Sequence, residues 1–108
     1  MKNTQSFDNQ SLCYETIDSK NQQTLMLIPG FAMDHTLWGK FCDVLSQNYN
    51  LILIDHRGTG LNTALTFQPS LAVLAKDIIS ILNAQEIHNI NLVGCLQHFF
   101  NQAPFEFQ

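Results

Sequence analysis

Residues 51–60 read Leu-Ile-Leu-Ile-Asp-His-Arg-Gly-Thr-Gly, and this stretch decides the fold. Its first four residues are a continuous apolar run, which is typical of a strand buried on both faces in a parallel sheet. An aspartate and an arginine follow at once, and two glycines then indicate a loop. In an open α/β sheet, ligands gather outside the carboxyl ends of the strands, so this loop is a candidate for chemistry.

Two similar apolar runs lie on either side of this stretch. Residues 24–28 run into Pro29 and Gly30, and residues 90–93 run into Gly94. Both runs predict buried strands that end at a loop.

Helical spacing of apolar residues fills the two intervals between these strands. It predicts helices over residues 36–46, capped by Asp34 or Thr36, and from Ser70 over about four turns. The leucine, isoleucine and valine positions of both helices are expected in the core. The alternation predicts a βαβαβ unit with right-handed crossovers and a doubly wound parallel sheet.

The N-terminal part predicts one more strand, over residues 12–17, because its residues alternate in character. Its expected partner is the weak stretch around Ser6 and Phe7, and residues 18–21 predict a polar turn. The fold class is therefore α/β, with a three-layer, partly parallel sheet. Residues 1–108 are expected to form one domain, without repeats or an internal linker.

Composition excludes several classes of function. The 108 residues carry a net charge of −4, and their five cationic residues lie far apart. Nucleic-acid binding and electrostatic attachment to a membrane both need clustered Lys and Arg, so neither is expected. No apolar run could cross a bilayer, and no signal peptide is expected. Three cysteines without a CxxC spacing favour a reducing, cytoplasmic location.

The three loops after the predicted strands, taken in order, resemble those of the α/β-hydrolase superfamily. The first is similar to the family's Pro-Gly loop, the second to its Asp-x-Arg-Gly-x-Gly-x-Ser turn, with Asn62 in place of the serine, and the third to the start of its nucleophile elbow. The resemblance covers roughly residues 11–95 and leaves residues 96–108 unassigned. It implies the N-terminal half of an α/β-hydrolase fold. The motif residues, which are expected to be structural, are Pro29, Gly30, Asp55, Arg57, Gly58, Gly60 and Gly94.

The elbow departs from the family pattern. Its Gly-x-Ser-x-Gly motif holds a hydroxyl on a strained turn. Here Leu96 occupies the serine position and His98 the second glycine position. Leucine has no nucleophilic atom, and Cys95, one residue earlier, is expected to be a buried or idle thiol. The resemblance further implies a vestigial oxyanion hole made of the backbone N–H groups of Phe31 and Gln97. The alternative for Phe31 is a loop aromatic side chain that covers the end of the sheet.

The remaining candidates for chemistry are histidines. His35, His56 and His88 precede the elbow, whereas the family's acid and base follow it, so each is expected to be solvated or packed in a loop. No metal site and no cofactor are expected.

Two functional hypotheses follow, and a third is weaker. The first is a truncated or frame-shifted hydrolase, inactive as this chain, whose family attacks a small ester or amide with a serine. The second is a non-enzymatic module that binds a small molecule at the strand ends or pairs with another chain, including a copy of itself, through an exposed strand edge. A flavodoxin-like domain is the third, disfavoured because no phosphate-binding glycine loop opens either helix.

Overall fold

A computed structural model of the chain describes residues 1–30, 33–67, 70–88 and 90–94. One five-stranded sheet runs through them, in the order β1-β2-β4-β3-β5. Strands β1 and β2, and β2 and β4, pair antiparallel, whereas β3 pairs parallel with both β4 and β5. The strands are β1 (Lys2–Gln5), β2 (Ser11–Ile17), β3 (Thr24–Ile28), β4 (Asn50–Ile54) and β5 (Asn91–Gly94).

All three apolar runs of the sequence form parallel strands, which confirms the partly parallel sheet. The expectation that the third strand is buried is wrong, because three of the four residues of β5 are exposed. The expected partner of β2 is wrong. Ser6 starts a turn, because its N–H donates to the Gln10 carbonyl and Asn9 has a φ of 64°. The residues that pair with β2 are the four before this turn, which form β1.

The core lies on both faces of the sheet, and alternate residues of the central strands belong to opposite faces. On β3, Met26 and Ile28 join a cluster with residues of the long helix α2 (Leu71–Ala84), while Leu25 and Leu27 join the opposite cluster. Side chains alternate in this way because the strand period is two residues. The described chain therefore has the three layers predicted for it, helix, sheet and helix.

Helix α2 confirms the second predicted helix. The Ser70 hydroxyl accepts a hydrogen bond from the Val73 N–H, as an N-cap does. Four apolar side chains of its inner face are buried, namely Leu74, Ile78, Ile81 and Leu82. The expectation that all its leucine, isoleucine and valine residues lie in the core is wrong at Ile79, which is 43% exposed. No helix within the described ranges is long and apolar enough to cross a membrane.

The first predicted helix is wrong as one continuous element. A 3₁₀ turn, His35–Trp38, capped by Asp34, is followed by the short helix α1 (Phe41–Leu45). Gly39 separates them with a φ of +44°, which a right-handed helix cannot contain.

This break also changes which side chains are covered. Trp38, Cys42 and Leu45 pack against the core, but Leu37 is 40% exposed and Val44 62% exposed. The expectation that every apolar position of this region faces the core is therefore wrong. A helical segment interrupted at Gly39 cannot present one continuous apolar stripe to the sheet.

Candidate functional site

The carboxyl ends of β3, β4 and β5 meet at one edge of the sheet because the three strands are parallel. Ile28 lies opposite Gly94, and Leu27 opposite Leu53. The Pro29 and Gly30 loop and the 55–60 turn therefore leave the sheet side by side. A Cβ added at Gly94 would be 3.8 Å from the nearest atom, the Ile28 carbonyl oxygen. This is an ordinary contact distance, so a Cβ would fit at this position.

Asp55 joins the first two loops. Its carboxylate Oδ1 accepts the His35 N–H at 2.6 Å, and its Oδ2 accepts the Leu61 N–H at 2.9 Å. Oδ2 also lies 2.7 Å from Nδ1 of the His35 ring. Asp55 thus accepts backbone N–H groups from both loops. The side-chain pair with His35 is an addition that the sequence did not indicate.

Gly60 makes this arrangement sterically possible. A Cβ added there would lie 2.2 Å from Asp55 Oδ2, closer than any real contact, and its φ is +48°. At Gly58 a Cβ would lie 2.7 Å from that of Phe67. An added Cβ would thus clash at both glycines of the motif.

Arg57 is buried and binds two carboxylates. Its Nε and Nη2 donate to Asp77 at 2.7 and 2.8 Å, and its Nη1 and Nη2 donate to Asp8 at 2.7 and 2.8 Å. The Asp77 and Asp8 carboxylates raise the pKa of Arg57, and Arg57 in turn holds the pKa of Asp8 well below its usual range. The motif arginine therefore connects the β1–β2 turn to α2.

Phe7 covers this cluster from outside. Its ring centroid is 5.2 Å from Cζ of Arg57 and 4.7 Å from Nζ of Lys76, distances that allow cation–π attraction. Sequence reasoning named neither carboxylate partner of Arg57. A signal was present in α2, because Asp77 lies among the apolar residues Leu74, Ile78 and Ile81, and a charge on a core-facing stripe needs a partner.

His56 is buried and packed, which agrees with one of its two predicted roles. Its Nε2 lies 2.7 Å from the Pro29 carbonyl oxygen, so the second loop also binds the first one directly. Removal from water lowers the pKa of His56, although the hydrogen bond to Pro29 opposes the shift. His88 is exposed, as predicted, and lies after α2, away from these loops.

Several predicted site residues lie outside the described residues. They are Phe31 of the oxyanion hole, Cys95, and all positions from Leu96 onward, including Gln97 and His98. Their roles remain predictions. Within the described part of the chain, no group of three or more His, Cys, Asp or Glu side chains could hold a metal ion.

No protein-family model matches the sequence. The chain is similar to a putative carbamate hydrolase RutD of Caulobacter sp. (strain K31), with 29% identity over 77 residues. That alignment covers 70% of this chain and 29% of the relative.

Solved structures share the fold over a larger part of the chain. An enol-lactonase from Burkholderia xenovorans LB400 matches with a TM-score of 0.76 and 19% identity, covering 86% of this chain and 36% of its own. An esterase from Rhodococcus sp. ECU1013 matches with a TM-score of 0.69 and 26% identity, covering 84% and 34%. A hydrolase from Pseudomonas aeruginosa PA01 matches with a TM-score of 0.73 and 23% identity, and the match covers 86% of this chain and 35% of that protein.

The chain thus spans about a third of the length of the proteins it matches. The matching structures have the α/β-hydrolase fold, and the order of strand-end loops in this chain is that of the fold's first part. The described part of the chain is therefore the N-terminal portion of an α/β-hydrolase fold.

Proposed function

We propose that this chain provides the N-terminal part of a hydrolase site for small substrates of the ester or amide type. One observation carries the proposal: the Asp55 carboxylate joins the two strand-end loops in a fold shared with hydrolases. The similar proteins act, by their names, on a carbamate, an ester and an enol-lactone. All three are carboxylic or carbonic acid derivatives, so the expected ligand contains such a carbonyl group.

A second part of the proposal is that these 108 residues do not carry out the serine reaction themselves. Leu96 occupies the position that follows the Gly-x of the elbow, and its hydrocarbon side chain cannot attack a carbonyl carbon. The chain then binds a ligand but lacks the nucleophile that the family's reaction requires.

Two measurements test these statements separately. A serine-directed fluorophosphonate should leave the folded chain unlabelled by mass spectrometry, with an active serine esterase labelled in the same solution. Stoichiometric labelling of any serine would contradict the missing nucleophile. Titration of the ¹⁵N-labelled chain with phenyl acetate should shift backbone resonances of Gly30, His35 and Leu61. Shifts at the opposite edge of the sheet, at Gln22 and His88, would instead contradict a ligand site at the strand ends.

A second candidate function is pairing with another copy of the chain. Among the described residues β5 pairs on one side only, with β3, and Val93 on this strand is 36% exposed. An apolar strand edge can accept a further strand. Light scattering should then show an oligomer that Val93→Lys reduces to a monomer. The matched control is Val44→Lys, which places the same charge on the exposed face of α1. Dissociation by both variants, or by neither, would count against pairing through β5.

The location is also proposed to be cytoplasmic. Cys13 and Cys42 are free thiols, and burial raises the pKa of Cys42, which keeps it protonated and unreactive. Secretion of the chain with either thiol oxidised would contradict this.

A further inference from the structure

The hydrogen bonds of Asp55 determine which nitrogen of His35 carries its proton. Each carboxylate oxygen of Asp55 already accepts a backbone N–H, from His35 and from Leu61. The carboxylate therefore acts as an acceptor, and the ring nitrogen 2.7 Å from Oδ2 must donate to it. In the neutral ring the proton is on Nδ1, and Nε2 carries the lone pair.

The basic nitrogen of His35 is available for a further contact. The His35 side chain is 23% exposed, while the Asp55 side chain is completely buried. Within the described ranges, Nε2 of His35 has no hydrogen-bond partner. The ring is also held in place at its base, because the His35 N–H is bound to the same carboxylate and the 3₁₀ turn it opens is capped by Asp34.

We propose that Nε2 of His35 is a proton-accepting site at the strand ends, oriented by Asp55, for the hydroxyl group of a small ligand or of water. A buried carboxylate that accepts from one imidazole nitrogen, while the other nitrogen has no partner, is the general arrangement of an oriented base. The choice of a small carbonyl compound as the ligand rests on the proposed function. The tautomer and the reactivity of His35 are independent of that function.

Three histidines of the chain give an internal comparison for the test. Diethyl pyrocarbonate modifies an accessible, unprotonated imidazole nitrogen, and peptide mapping reports each histidine separately. At neutral pH, His35 should react at a rate within about threefold of the exposed His88. It should react at least tenfold faster than His56, which is buried and bound to the Pro29 carbonyl. Protection of His35 to the level of His56 would overturn the proposal.

The tautomer is tested directly on the unaltered chain. Two-bond ¹H–¹⁵N correlations of the imidazole rings should show His35 protonated at Nδ1 with a pyridine-type Nε2. Protonation at Nε2 would overturn the proposal, whatever the outcome of the fluorophosphonate and phenyl acetate experiments. Asp55→Asn should remove the preference for Nδ1 and lower the modification of His35 several-fold, with His88 unchanged.

The ligand class is tested with two matched esters. Methyl lactate, which has a hydroxyl group, should shift the Nε2 resonance of His35, and methyl propionate, which has none, should not. Equal shifts with both esters, or no shift with either, would exclude a hydroxyl-accepting site.

Discussion

The side-chain amide of Asn62 pairs with the backbone of Cys13 as a neighbouring strand would. Its Oδ1 accepts the Cys13 N–H at 2.8 Å, and its Nδ2 donates to the Cys13 carbonyl at 3.1 Å. The same Nδ2 donates to the Asp55 carbonyl at 2.9 Å. Asn62 stands where the family motif has serine, and a single hydroxyl has only one proton to donate. The amide therefore joins β2 to the end of β4 with three hydrogen bonds.

Asn62→Asp should destabilise the chain by about 2 kcal/mol or more. The carboxylate keeps the acceptor for the Cys13 N–H, but it replaces the donor with an oxygen facing two carbonyl groups. Urea unfolding measures the loss, and Asn48→Asp, the same substitution at an exposed site, is the control. An equal effect at both positions would show that the amide contacts contribute nothing.

Arg57→Met should cost about 3–5 kcal/mol, the range for breaking a buried ion pair from one side. The buried carboxylate of Asp77 would then lose its hydrogen-bond donors and its positively charged partner. Lys40→Met removes the same charge from an exposed position and should change the free energy of unfolding by less than about 0.5 kcal/mol. Arg57→Lys should fall in between, because an ammonium group cannot bind both carboxylates side-on. Comparable stability of all three variants would show that the ion pairs of Arg57 with Asp8 and Asp77 do not stabilise the fold.

Gly60→Ala and Gly39→Ala separate backbone strain from steric conflict. Both glycines have φ values close to +45°, at +48° and +44°, but the nearest atom to an added Cβ is 2.2 Å away at Gly60 and 3.8 Å at Gly39. Gly39 has a ψ of −122°, outside the left-handed helical region, so Gly39→Ala should cost about 1–3 kcal/mol from its backbone conformation alone. Gly60→Ala should cost at least about 1 kcal/mol more and should weaken the His35–Asp55 pair, since the carboxylate must move. Thermal unfolding and the His35 imidazole resonances measure the two effects.

The buried His56 should make the chain less stable in mild acid. Loss of hydration lowers the pKa of His56 in the folded chain below its ordinary 6.5. As the pH falls through 6.5, the unfolded chain binds a proton at His56 that the folded chain does not bind. The free energy of unfolding therefore decreases from about pH 7 until the lower, folded pKa is reached. His56→Gln should reduce this slope and His88→Gln should not. A slope unchanged in both variants would assign the acid sensitivity to other groups.

Much of the fold could be predicted from the sequence because its strongest patterns are local. A strand such as β4, buried on both faces, needs a continuous apolar run, and helix α2 needs a long apolar periodicity with Ser70 as its cap. The break at Gly39 could not be predicted from the sequence in the same way. One glycine within a helical pattern is compatible with a helix, and only the packing of two short segments against the sheet decides against it.

The site was predictable only as far as its motif residues. Asp55 and the two glycines are close in sequence, so their turn could be anticipated. The partners of the motif are distant: His35 is 20 residues from Asp55, and Asp8 is 49 residues from Arg57. Such pairs depend on which strands are neighbours, and a single sequence gives no evidence for them beyond the presence of a charge among apolar residues.

The sheet order has a consequence for the chain as it is synthesised. β4 lies between β2 and β3, although it follows both in sequence. Until Ile54 has left the ribosome, neither earlier strand has its central partner, and β2 can pair only with β1. At about 5–20 residues per second this interval is on the order of seconds. The β3 side chains Met26 and Ile28 stay uncovered longer still, because they pack against residues of α2, which is synthesised after β4.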